Sequence, residues 1–135
     1  MSDPAPQTSA EALFVDFVNA FRALDYDRLG GLLDENLVSL ITNAEGGATE
    51  LLGRAAYIDA VRSVDYASAR LDIRITQILT VKPGQALAMV EIKAERKGRD
   101  LHNFAAFLVD ADGGAIKGLR MVEALPAYSD AFWKD

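Results

Sequence analysis

Few residues in this chain combine a reactive type with a setting that lets them do chemistry. Glu123 leads them. It shares one strand parity with Leu119, Met121 and Leu125. A carboxylate in that company loses hydration, and its pKa rises above the roughly 4.3 of a free glutamate. A group tuned this way can serve as a general acid or base. The competing reading is a half-wet carboxylate at the strand end, paired with Arg96. Asn103 is a lone amide in an apolar run; it can orient a ligand carbonyl or satisfy backbone groups. Arg96, at a hairpin end, can hold a ligand carboxylate or simply stand in solvent. Under the opposite parity of the last strand, Arg120 takes that role. His102 is the only histidine. The register derived below turns it away from the apolar face, towards the outer sheet surface. Asp25, Tyr26 and Asp27 lack catalytic spacing and read as a helix cap.

The elements that must position these groups follow from periodicity. Residues 1–8 read as a flexible polar tail, and residues 9–135 as a single domain. Thr8-Ser9-Ala10-Glu11 reads as a capping box, with the Thr8 hydroxyl accepting a backbone N–H and Glu11 reaching back. The helix that follows carries Leu13, Phe14, Phe17, Val18, Phe21 and Leu24 on one stripe. A short helix after Asp25 is weakened by Gly30-Gly31. Residues 37–41 read as a strand, residues 42–50 as a loop, and the stretch after Gly53 as a helix with Tyr57, Ile58, Val61 and Val64 on one side. Residues 69–81 alternate as a half-buried strand. Residues 86–125 read as a three-stranded meander punctuated by Lys97-Gly98 and by Asp110-Ala111-Asp112-Gly113-Gly114. Tyr128, Phe132 and Trp133 mark an aromatic tail.

Taking Lys97-Gly98 as a two-residue turn pairs Arg96 with Arg99, Ala94 with Leu101, Ile92 with Asn103 and Val90 with Ala105. The face holding Val90, Ile92, Asn103, Ala105 and Phe107 then meets the helices. For the last strand, a four- or five-residue turn gives opposite faces, and spacing leaves both open. Helices early and strands late indicate an α+β fold.

Composition removes several function classes. The chain has no cysteine, which excludes disulfides, thiolate metal sites and thiol catalysis. One histidine rules out a histidine-rich centre, so no metal and no cofactor are expected. A net charge of −6 opposes binding to nucleic acid or anionic membranes. No apolar run approaches the roughly 20 residues of a membrane span, and the first residues lack the basic and apolar regions of a secretory signal. A cytoplasmic location is expected. The outer sheet face, with Leu87, Met89, Phe104, Ala106 and Leu108, is apolar enough to predict a homodimer through that surface.

The stretches LDYDRLGGLLDENLV, LLGRAAYIDAV and VDADGGAIKGLRMVEAL, in this order of elements, resemble the nuclear transport factor 2-like superfamily, in its SnoaL-like polyketide cyclase and ketosteroid isomerase-like branch. The resemblance implies a cystatin-like cone: a curved antiparallel sheet wrapped around a long N-terminal helix and two shorter ones, enclosing an apolar pocket. It places Leu119, Met121 and Glu123 on the cavity side. It assigns the isomerase base to Ile41, the tyrosine to Phe17 and the protonated acid to Phe107. Hydrocarbon stands at all three, so steroid isomerase chemistry is not expected. The expected pocket takes Phe14, Phe17 and Phe21 from the first helix, and Tyr57 and Val61 from the third. Ile41, Ile92, Arg96, Asn103, Phe107, Leu119 and Met121 come from the sheet, with Glu123 as the catalytic candidate. The expected function is a dimeric binder of a small apolar molecule. An isomerase, cyclase or dehydratase using Glu123, or a dimeric interaction module, are the alternatives.

Overall fold

The computed structural model describes residues 9–134. Thr8 and the expected tail lie outside them. Helix α1 (Ala10–Arg22) is capped by Ser9, whose hydroxyl accepts from the Ala12 N–H at 3.0 Å. The Glu11 carboxylate accepts from the Thr80 hydroxyl across the molecule, and the Thr8 end of the expected capping box lies outside the described residues. Leu24 closes the helix in the left-handed region (φ 53°), where Asp25 can cap the next. Helix α2 (Tyr26–Gly31) follows, and Asp25 accepts from the Arg28 N–H at 3.1 Å.

Strand β1 (Leu33–Thr42) is longer than residues 37–41, and the expected loop is largely a hairpin into β2 (Ala48–Leu52). Only residues 43–47 turn. Asn43 Oδ1 binds the N–H groups of Glu45 and Gly47, at 3.1 and 2.9 Å. After α3 (Arg54–Arg62) and a single 3₁₀ turn come β3 (Asp72–Lys82), β4 (Gln85–Arg96), β5 (Arg99–Asp112) and β6 (Ala115–Glu123). The aromatic tail is a helix, α4 (Pro126–Lys134), begun by a proline whose missing N–H costs nothing in a first turn.

The sheet order is β2-β1-β6-β5-β4-β3. Every pair is antiparallel except β1 with β6, which run parallel. The β4–β5 register is the expected one, from Arg96↔Arg99 through Val90↔Ala105. Its turn residues, Lys97 and Gly98, both have positive φ, as a type I′ hairpin requires. The β5–β6 turn is neither four nor five residues. Gly113-Gly114 form a tight turn, and a bulge between Asp110 and Ala111 in the pairing shifts the parity. Ile116 and Leu119 are therefore both buried, and Met121 and Glu123 follow the parity of Leu119. Gly118 sits at this irregularity; a Cβ there would lie 2.8 Å from Asp110 Oδ2. The main core lies between α1, α3 and the concave sheet face, centred on Phe14, Leu37, Val90, Val109 and Leu119.

Candidate ligand pocket

One side of that core is hollow. A cavity of about 580 Å³ opens between α1, α3, α4 and the sheet. Its floor follows from the stripe on α1: Phe14, Phe17 and Phe21 recur on one face and extend over the concave sheet. Their rings form part of a continuous aromatic wall. Phe107 meets Phe14 at 5.0 Å, Phe14 stacks on Phe17 at 5.6 Å, and Phe17 touches Tyr57 at 6.2 Å. The wall continues from Phe21 to Tyr66 (5.2 Å) and from Tyr66 to Trp133 (5.0 Å). Of the residues expected in the pocket, Val61 on α3 and Ile41, Ile92, Asn103, Leu119, Met121 and Glu123 on the sheet also line it. Phe17, Ile41 and Phe107, the three positions matched to isomerase machinery, are hydrocarbon wall.

Arg96 is a correction. It does not line the cavity. Its Nη1 donates to the Phe132 carbonyl at 2.8 Å, so it holds the end of α4 rather than a ligand carboxylate or Glu123. Asn103 touches the cavity, but its amide works chiefly as a strut. Oδ1 accepts from the Phe104 and Leu125 N–H groups (2.8 and 3.1 Å), and Nδ2 donates to the Leu125 carbonyl at 3.2 Å. His102 faces outward opposite Lys93, with Nε2 2.8 Å from Glu91 Oε2. Arg120 is exposed.

Glu123 is fixed from two sides. Thr42 Oγ1 accepts from the Glu123 N–H and donates to the Met121 carbonyl, both at 3.0 Å, stapling β1 to β6 beneath the carboxylate. Ser129 Oγ donates to Glu123 Oε1 at 3.0 Å. No cation pairs with Glu123 among the described residues. Burial pushes its carboxyl above the usual range; Ser129 opposes this and nearby Asp130 adds to it. Burial, and then Glu123, push the Tyr66 phenol up to about 12. Burial also raises the Tyr57 phenol.

From sequence, Tyr128, Phe132 and Trp133 are an aromatic tail that joins the dimer contact or covers the cavity; its helical form, and the Ser129, Asp130 and Lys134 that α4 brings to the cavity with Trp133, are not anticipated. The signal was present: Tyr128 and Phe132 are four apart, and Pro126 stands where a helix can start. Tyr66 was also missed, because it follows the end of α3. Among the described residues no three carboxylate or histidine side chains gather as a metal-binding group, and no helix is long and apolar enough to cross a membrane.

No protein-family model matches the sequence. An uncharacterized protein of Mycobacterium tuberculosis, Rv0034, is 31% identical over 67 residues, covering 50% of this chain. The chain spans about half the length of the curated relatives it matches (51%). Bal32a, from a soil-derived mobile gene cassette, superposes with a TM-score of 0.80 at 19% identity, over 93% of this chain and 96% of that one. An LEH-like epoxide hydrolase of M. tuberculosis superposes with a TM-score of 0.74 at 17% identity, over 92% and 89%. Further structures of this shape are described as nuclear transport factor 2-like, cystatin-like and SnoaL-like. In its sheet order, its enclosing helices and these superpositions, the chain has the nuclear transport factor 2-like, cystatin-like α+β fold.

Proposed function

We propose that the protein binds a small, largely apolar molecule in this cavity. The observation that carries the reading is the combination of about 580 Å³ of space with a continuous aromatic wall. Interiors normally close-pack, and a cavity of several hundred Å³ with few polar groups is the usual form of a ligand site. The likeness to SnoaL-like and epoxide hydrolase-like structures supports a pocket-bearing fold. A second reading, acid/base catalysis by Glu123, draws on its raised pKa and its place on the cavity wall.

The proposed assembly is a homodimer through the outer sheet face. Support comes from Met89, Phe104 and Val122, which are 44%, 41% and 64% exposed. They stand on neighbouring strands in one apolar patch with Leu87 and Leu79.

Trp133 is the only tryptophan and lines the cavity, so its emission should report occupancy. Steroid-like, terpenoid and aromatic polyketide-like compounds are titrated against the protein, with thermal shift in parallel. A ligand at a hundred times its Kd adds roughly 2.7 kcal/mol of stability. Saturable quenching with a matching thermal shift is expected, and Ala60→Phe, which fills the cavity from α3, should abolish both. Binding that survives Ala60→Phe would place the site elsewhere. Turnover of a bound compound, lost in Glu123→Gln, would establish the second reading.

A further inference from the structure

The cavity carries a net negative charge, and its aromatic walls complement that charge. Its ionisable lining, apart from the tyrosines, consists of Glu45, Glu123, Asp130 and Lys134 among the described residues. The single ammonium is already spent: Lys134 Nζ lies 3.0 Å from Asp130 Oδ2, one helical turn away. Glu123 is left with a hydroxyl from Ser129 on one oxygen and no cation. A half-buried carboxylate gains from an entering positive charge and loses from a negative one.

The rings beside it suit that cation. Tyr66 and Trp133 meet edge to face at 5.0 Å and 75°, and Phe21 closes on Tyr66 at 5.2 Å and 63°. Rings packed edge to face form a wall rather than a stack, and a ring face turned to the cavity can receive an ammonium group. Trp133 is held there by its own helix: it lies four residues after Ser129, the residue bonded to Glu123.

Tyr57 adds an independent polar observation. Its side chain is 6% exposed and lines the cavity, and its hydroxyl makes no hydrogen bond among the described residues; since no buried polar side-chain atom is left unpaired among them, the oxygen faces open space. The free lone pairs of this hydroxyl can accept from a ligand N–H. Beyond these groups the walls are largely hydrocarbon, from Phe14, Val61, Ile92, Phe107 and Met121, with the uncharged Ser39, Thr42, Asn43, Thr49 and Asn103 on the sheet side.

The geometry points to an apolar amine as the preferred ligand. Its protonated nitrogen meets Glu123 beside the packed Tyr66–Trp133 pair, against a ring face that the pair leaves open to the cavity, and its hydrocarbon body lies against α1. This inference rests on the pocket reading and sharpens it. Carboxylate ligands are disfavoured, because Arg96 is bound to the Phe132 carbonyl outside the cavity and Lys134 is paired with Asp130.

The test uses isothermal titration calorimetry of the full chain at pH 7.5 with three naphthalenes of similar size: 2-(1-naphthyl)ethylamine, 2-(1-naphthyl)ethanol and 1-naphthylacetate. The expected order is amine tighter than alcohol by at least tenfold, with the acid weakest. Glu123→Gln should bring amine and alcohol within about twofold of each other. Should that variant fold poorly, the wild-type ranking decides alone. Alcohol or acid binding as tightly as amine overturns the amine assignment and leaves the pocket standing. An amine preference that persists in a folded Glu123→Gln also overturns it. Failure of all three compounds to bind overturns the assignment together with the pocket reading.

Discussion

Asn103→Ala is expected to destabilise the protein by about 2–3 kcal/mol, because the amide is a backbone strut. The side chain is wholly buried. Its oxygen takes two backbone N–H groups and its nitrogen one carbonyl, at 2.8, 3.1 and 3.2 Å. Intramolecular hydrogen bonds contribute roughly 0.5–1.5 kcal/mol each, so three bound the loss at about 1.5–4.5 kcal/mol. Two of them end on Leu125, which is 51% exposed and can turn its backbone to water. That places the expectation in the lower half of the range. The hole left by the amide opens onto an existing cavity, so the added cavity term is small. Urea unfolding followed by circular dichroism measures the change. At an m-value of about 2 kcal/mol per molar, the midpoint should fall by about 1–1.5 M. Because Leu125 immediately precedes α4, hydrogen exchange in α4 should accelerate before the rest of the fold. Asn103→Asp keeps both acceptor contacts but loses the donor and buries a charge; it should be worse than alanine at pH 7 and recover on acidification. A loss below about 0.5 kcal/mol in Asn103→Ala, with ligand affinity sharply reduced, would refute the strut and return Asn103 to the ligand.

Glu123→Gln carries a pH signature. Burial raises the Glu123 carboxyl in the folded chain, so folding favours its protonated form. That contribution is complete below about pH 4 and is lost as pH rises through the elevated folded value. Glutamine can still accept from Ser129, so the variant should melt above wild type at pH 7.5 and level with it at pH 4; a wild type that outlasts it at pH 7.5 contradicts the burial argument. Val122→Glu puts a charge in the centre of the outer apolar patch. Sedimentation equilibrium should show a wild-type dimer and a folded, monomeric variant, and a wild type that is monomeric at tens of micromolar removes the dimer. Gly118→Ala brings a methyl within 2.8 Å of Asp110 Oδ2 and 3.2 Å of its Cβ. It should disturb the 2.8 Å bond from Gln85 to Asp110 and cost about 1 kcal/mol by urea unfolding; a neutral result means Asp110 moves freely.

The parts of the fold legible in the sequence are those where a local rule and burial agree. Lys97-Gly98 fixed a register because only a turn with two positive φ values suits a two-residue hairpin, and a slip would have put Lys93 and Glu95 into the core. Strand β2 was illegible for the opposite reason. It is an edge strand, exposed at every position but Leu51, so no alternation marks it. The parity of β6 was hidden by the bulge near Gly118, whose extra residue no period-2 count can place. Arg96 was assigned to the cavity because its partner, the Phe132 carbonyl, belongs to a helix that had been read as a tail. The position of Glu123 came from the resemblance, since both parities of the last strand offered apolar neighbours.

These particulars bear on where chemistry could occur in this cone. The resemblance directs isomerase machinery to Phe17, Ile41 and Phe107, yet all three are wall, and Phe107 packs at 5.0 Å on Phe14. A polar substrate atom placed there would lose its water and gain nothing. Polar side chains that line the cavity lie instead at Glu123, Tyr57 and Tyr66. Tyr66 feels the Glu123 charge, and Tyr57 feels Tyr66. The polarity of the cavity is therefore gathered around α3, the turn after it, the end of β6 and α4. For the proposed ligand this favours one orientation, hydrocarbon against α1 and its polar atom towards Glu123. Acid/base chemistry under the second reading would act at that atom, since among the described residues Glu123 is the lining carboxylate that is half-buried and free of a cation. The same orientation makes α4 indispensable. It supplies the hydroxyl on Glu123 and the Trp133 ring, and it is anchored by Arg96 through the Phe132 carbonyl and by Tyr128 through the Asp100 carbonyl at 2.7 Å.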